Sequence, residues 1–198
     1  AHEWRSARPH HPPRSLILFS ALAMSLPTIE PGTCRTLVDL GEPDEFARWE
    51  VVDDGVMGGL SKGHIEQAGD ALSFTGTINT NGGGFTSLRR EFSEGAMAGA
   101  RTLRVVYSGD ARSYEVPLRS DARERGRRIA YRATLKPEAS EGDWTIATID
   151  LSQLETSLFG QQVDAPAFAT GNAHSIGLII ADGIDGAFAM KLKRIDAC

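Results

Sequence analysis

The sequence is short of several residue types, and each shortage excludes something. Only two of its 198 residues are cysteine, Cys34 and Cys198, so there is no cysteine-rich metal or multi-disulfide framework. Three tryptophans and three tyrosines leave aromatics at 7%, too few to show an obvious row of exposed rings for stacking on sugars. No run of about 20 apolar residues occurs, so no segment reads as a membrane-spanning helix. Lys and Arg total 21 against 26 Asp and Glu, a net charge of −5, whereas general nucleic-acid binding wants a basic surface. No H-E-x-x-H and no paired-cysteine spacing is present, and His64 and His174 stand alone. The glycines at 82–84 are not followed by Lys-Ser/Thr and do not open a helix, which removes a phosphate-binding loop. No metal and no cofactor is expected.

What is present is glycine, 21 residues of it, and alternation. From Thr36 onward apolar residues recur at every second position, interrupted about every ten residues by Gly, Asp, Asn or Pro. Leu72, Phe74, Gly76 and Ile78 form one such set; Leu103, Val105 and Tyr107 another; then Tyr114, Val116 and Leu118. Ile129, Tyr131, Ala133 and Leu135 follow, then Trp144, Ile146 and Thr148, then Ile176, Leu178 and Ile180, and last Phe188, Met190 and Leu192. Period two with one face inward, in short strands between turn residues, predicts an antiparallel β-sandwich or barrel. Helical signals are confined to 42–49, with room for one or two turns, and to a short turn over 152–160 ending at Gly160. The stretch 64–74 reads as strand, turn, strand, and 121–128 as a charged hairpin tip or loop. One domain over 34–198 is expected.

Residues 1–33 read differently. Arg5, Arg8 and Arg14 precede the apolar run SLILFSALAMSL, and Ala21-Leu22-Ala23 offers a small-x-small site. A basic start, a short apolar stretch and a small-residue cleavage site describe an export signal, and this reading is placed first. An Arg-rich mitochondrial presequence, or cytoplasmic translation beginning at Met24, are the alternatives. His10 and His11 fall in this segment. In an exported protein Cys34 and Cys198, at the two ends of the domain, could close it as one loop; otherwise they are two unrelated thiols.

Gly59-Leu60-Ser61-Lys62-Gly63 matches the G-x-S-x-G nucleophile elbow, with Asp164 and His174 later in the chain. The elbow needs a strand entering and a helix leaving the serine, and here a strand follows, so no catalytic residue is assigned. Asp53 and Asp54 offer oxygens to Ca²⁺, but an aspartate pair before Gly55 more simply bonds a turn's backbone. Arg112, Arg119, Arg123, Arg125, Arg127, Arg128 and Arg132 form a basic cluster, read as a solvated hairpin in preference to a site for an acidic partner. Trp49 and Trp144 are assigned to the core. In two glycine-rich blocks, Gly58, Gly59, Gly83 and Gly84 would let two loops pass closely. Asp53, Asp54, Asn79, Asn81 and Arg89 could cross-brace them, with Met57 at the same place. A brace is preferred over a ligand site.

Those blocks, WEVVDDGVMGGLSKG (49–63) and FTGTINTNGGGFTSLRREF (74–92), resemble the signature of the complex I intermediate-associated protein family. SGDARSYEVPLRS, GDWTIATIDL and HSIGLIIADGIDGAFAMKLKRIDA continue the resemblance in order to the C-terminus. Two positions depart from the family pattern, Asp53 and Gly82, each standing where asparagine is usual. The resemblance implies a galactose-binding-like jelly roll akin to carbohydrate-binding modules. It also implies a non-catalytic, chaperone-like protein whose partners include assembly intermediates of the membrane arm of respiratory complex I. A glycan-binding protein outside the cytoplasm is the alternative.

Overall fold

A computed structural model describes residues 33–198; the targeting segment expected over 1–33 otherwise lies outside the described residues. Two seven-stranded sheets face each other. The first contains β1 (Arg35–Asp39), β3 (Lys62–Gln67), β4 (Leu72–Ile78), β6 (Thr102–Gly109), β11 (Ala139–Glu141), β12 (Trp144–Asp150) and β16 (Gly186–Ala197). Its order is β11-β12-β6-β16-β4-β3, and β1 also pairs with β16. The second contains β2 (Trp49–Asp53), β5 (Thr86–Glu91), β7 (Tyr114–Arg119), β10 (Ala130–Thr134), β13 (Glu155–Leu158), β14 (Gln161–Gln162) and β15 (Ser175–Ile180), in the order β14-β13-β10-β7-β15-β5-β2. A small hairpin of β8 (Arg123–Glu124) and β9 (Arg127–Arg128) stands apart, where the charged tip was expected. All pairings are antiparallel, and the architecture is the expected jelly-roll sandwich.

The core lies between the inward faces. Phe74 and Phe188 meet edge to face at 4.8 Å, and Tyr114 of the opposite sheet reaches Phe188 at 6.4 Å, so aromatic contacts join the two layers. β15 sits near the centre of its sheet and is buried at all six positions. β16 is 12 residues long. It pairs with β4 through 186–192 and with β1 through 194–197, and a register shift between Leu192 and Arg194 separates the two contacts.

The alternation in β12 is displaced by one residue from the expectation. Ala147 and Ile149 are buried, Trp144 and Ile146 are half-buried and Thr148 is exposed. Register explains this: Ala147 lies opposite Val105 and Ile149 opposite Leu103, both core residues of β6, so the other parity faces outward. Trp144 is therefore not a core residue; its ring lies 5.0 Å from Lys193 Nζ. Trp49 is buried, as expected. The stretch 152–160 does not end in a helical turn but enters the β13–β14 hairpin, with Phe159 and Gly160 at positive φ. The segment 42–49 holds one short 3-10 turn, Phe46–Arg48.

Cys34 and Cys198 are joined across a separation of 164 residues. Cross-linking acts mainly by restricting the unfolded chain, and for a loop this long the entropy relation gives about 5 kcal/mol as an upper value. Reduction should lower the urea midpoint of the full chain, and a Cys34→Ser/Cys198→Ser variant should unfold at that lower midpoint without added reductant. An unchanged midpoint would show that the closure contributes nothing.

Candidate functional site

The first glycine-rich block folds as β2, a 3-10 turn over Asp54–Met57, and a left-handed Gly58 at φ 87°. Asp54 is fully buried at the start of that turn. Its Oδ1 accepts the Ser61 amide at 2.9 Å, and its Oδ2 accepts those of Gly84 at 2.6 Å and Phe85 at 3.3 Å. Burial works against this charge, but the hydrogen bonds from Ser61, Gly84 and Phe85 outweigh it and hold the carboxyl below its usual range. Asp53 Oδ1 accepts from the Gly63 amide at 2.9 Å and the Thr86 hydroxyl at 2.6 Å. One acidic pair thus ties the 54–63 loop to the second glycine-rich block.

The glycines are needed for room. A Cβ on Gly59 would lie 2.2 Å from Asp54 Cγ, and one on Gly83 would lie 2.3 Å from Asp54 Oδ2. Gly84 adopts φ 126°, which side-chain-bearing residues avoid. Asn79 enters the contact through its backbone, which exchanges hydrogen bonds with the Ser61 hydroxyl, while its side chain accepts only the Asn81 amide. Arg89 takes no part in the brace. It lies three positions beyond Thr86 on β5, on the parity opposite the core residue Leu88, and so faces out of the second sheet.

The donors on Asp53 and Asp54 leave that pair poorly suited to Ca²⁺, because both Asp54 oxygens and Asp53 Oδ1 already accept from the chain. The G-x-S-x-G serine is likewise engaged: Ser61 is fully buried and its hydroxyl bonds Asn79. His174 hydrogen-bonds Asp121, not Asp164. Among the described residues no three His, Cys, Asp or Glu side chains are grouped to hold a metal ion.

A cleft of about 630 Å³ runs over the outer face of the second sheet. Its floor is built from the outward alternates of four strands: Arg89 of β5, Gly177 and Ile179 of β15, Arg119 of β7, and Arg132 of β10. Each faces away from a core neighbour such as Leu88, Leu178, Leu118 or Tyr131. The braced turn presents Val56 and Met57, 79% and 60% exposed, at one rim, and Phe159 at 71% stands at the other. A second hollow of about 430 Å³ shares Arg89, Arg119 and Phe159 and adds Arg123, Arg127 and Arg128 of the β8–β9 hairpin. The arginine-rich stretch is therefore not simply a solvated hairpin, since much of it lines one depression. Arg112 is the exception: it pairs with Asp182 through Nε and Nη2 at 2.6 and 2.7 Å.

The sequence of residues 38–192 matches the family described as Complex I intermediate-associated protein 30 (CIA30). The chain belongs to this family. The CIA30 domain shares its fold with a family 11 carbohydrate-binding module of the cellulosomal cellulase Lic26A-Cel5E of Clostridium thermocellum. Identity is 14%, the alignment covers 83% of this chain and 94% of that one, and the TM-score is 0.58. The same module in complex with a β-1,3-1,4-mixed-linked tetrasaccharide aligns at 15% identity over 83% and 94%, with a TM-score of 0.56. The agarase AgWH50C aligns at 9% identity over 83% of this chain and 24% of that one, with a TM-score of 0.50. No curated protein matches the chain. These likenesses establish the jelly roll and the family. The cleft was missed from the sequence because its arginines lie on three strands whose order only the sheet supplies; their parity, opposite to Leu88, Leu118 and Tyr131, was the available signal.

Proposed function

We propose that this CIA30 domain is a non-catalytic, chaperone-like binding protein that takes a protein segment into the cleft on its second sheet. The observation that carries the reading is the pairing of an arginine floor with an exposed Val56, Met57 and Phe159 rim. Apolar side chains beside arginine are the composition enriched in protein interfaces, and the unbranched methionine adapts to varied partners. Membership of the family supports assembly intermediates of the complex I membrane arm as the partners. In affinity capture from detergent-solubilised membranes, the tagged full chain should enrich membrane-arm subunits, and Met57→Asp should lose most of that enrichment while melting as the wild type does. Equal recovery with both proteins, or none with either, would sink this reading.

Glycan binding is the second reading, supported by the shared fold with carbohydrate-binding modules. It is weaker because among the described residues no Trp or Tyr lines the cleft, where the aromatic side chains are Phe85 and Phe159.

A further inference from the structure

Resting on the cleft as the binding site, we propose that Arg89, Arg119 and Arg132 form a carboxylate-recognition subsite in its floor. The ligand is an acidic peptide segment, whose neighbouring apolar side chains rest on Val56, Met57 and Phe159.

The three arginines come from strands β5, β7 and β10, and β15 passes between the first two. Gly177 of β15 is the register partner of Arg89 and Ser175 that of Arg119, so only small residues of β15 stand between the two arginines on that face. Like charges consequently share a half-buried space. Burial first, then Arg89, Arg132 and Arg128, bring the Arg119 guanidinium down to about 10. Buried Nε groups of Arg89 and Arg132 have no hydrogen-bond acceptor among the described residues. Arg132 Nη1 lies 3.1 Å from Glu115 Oε2, an ion pair at the margin of the group. Among the described residues no Asp or Glu lines either hollow.

The rest of the molecule treats arginine differently. Arg90, the next residue after Arg89, is bound by both oxygens of Glu45, and Arg112 by both of Asp182. In a chain with 26 acidic residues, Arg89 and Arg119, which have no carboxylate partner among the described residues, beside an Arg132 paired only with Glu115, are a local exception. A guanidinium presents paired donors matched to a carboxylate, and an entering carboxylate would relieve the repulsion among the arginines. Arg123, Arg127 and Arg128 extend the same charge along the adjoining hollow, where a second acidic side chain of the segment would lie. The apolar rim favours a peptide over an acidic sugar, which would gain little from Val56 and Met57.

The test is selection of a randomised octapeptide display library on the immobilised full chain, followed by binding titrations and thermal melts. Selected peptides should carry Asp or Glu beside apolar residues, and their Asn/Gln counterparts should bind at least tenfold more weakly. Arg119→Gln should lose at least tenfold in affinity, while its Tm stays level or rises because a repulsive charge has gone. Arg125→Gln, at the exposed hairpin tip, should change neither. A lowered Tm with unchanged affinity would make the cluster structural and overturn the inference. So would tighter binding of oligogalacturonate than of any selected peptide, or failure to select any peptide. Peptides that bind through Met57 but ignore Arg119 and show no acidic preference would overturn the carboxylate subsite and leave the cleft's protein-binding role standing.

Discussion

Asp54→Ala should lower the melting temperature of the full chain by roughly 10 °C, the largest loss expected from any single side chain in the two glycine-rich loops. The carboxylate accepts three backbone N–H groups from two segments, and its removal leaves all three without their partner. Hydrogen bonds to a charged group contribute about 1.5–3 kcal/mol each, with incomplete additivity, so a loss of about 3–5 kcal/mol is expected. For a domain of this size each kcal/mol corresponds to roughly 2–4 °C. Asp54→Asn keeps the shape but turns an NH₂ toward one donor, and should lose about half as much. Gly59→Ala and Gly83→Ala should approach the same loss by a different route, since each new Cβ presses on the same carboxyl group. In an Asp54→Ala background Gly59→Ala should cost much less, because the atoms it strikes are gone; additive losses would show that the glycines act elsewhere.

The same carboxylate sets an acid sensitivity. Its folded pKa lies below the model-compound value of 3.8. Its contribution is therefore complete above 3.8 and is lost as pH falls through the depressed folded value. Asp70, Asp121, Asp150 and Asp182 are lowered as well, so the wild type alone does not isolate Asp54. The difference in Tm between wild type and Asp54→Ala does: it should be constant from neutral pH to about 4 and narrow below 3.8. A difference that widens in acid would contradict the assignment.

Arg90→Ala should cost about 3–5 kcal/mol, the range for stranding one member of a buried ion pair. Arg90 and Glu45 are each 6% exposed, and two hydrogen bonds of 2.6 and 2.9 Å join them. Glu45 also accepts Trp49 Nε1 at 3.2 Å, while Arg90 lies over the ring of Phe92 and donates to the Glu91 carbonyl. Without Arg90 the carboxylate keeps Trp49 Nε1 as a donor but, among the described residues, only Arg48 as a cation, 3.7 Å away and largely exposed, which offsets little. Burying a charge is the costly element, so Glu45→Gln/Arg90→Met should recover most of the loss while keeping an acceptor for Trp49. Urea unfolding should show a lower midpoint for the single variant with unchanged slope, and near-recovery for the double. A single variant within about 1 kcal/mol of wild type would mean that water reaches Glu45.

Nothing in the sequence pairs Glu45 with Arg90. They are 45 residues apart, Glu45 in the stretch read as one or two helical turns and Arg90 in the second glycine-rich block. By contrast the sandwich itself was legible, because the alternation of Leu72 with Phe74, or Val116 with Leu118, is a property of neighbouring residues and needs no partner strand. The one strand face misjudged, at Trp144, Ile146 and Thr148, shows the limit of that signal. Both parities of β12 carry apolar residues, and only the pairing of Ala147 with Val105 and Ile149 with Leu103 decides which goes inward.

Taken alone, the sequence determined the strand pattern, the glycines at which two loops must meet, the acidic pair available to join them, and the family. These rest on local chemistry: period two, missing side chains, and short acceptors beside free amides. Tertiary structure decided that Asp54 and not Arg89 holds the loops, and that Cys34 meets Cys198. It also decided that arginines from β5, β7 and β10 share one cleft. Those outcomes depend on strand order and register, which are fixed by burial of the whole core and cannot be read from any one strand.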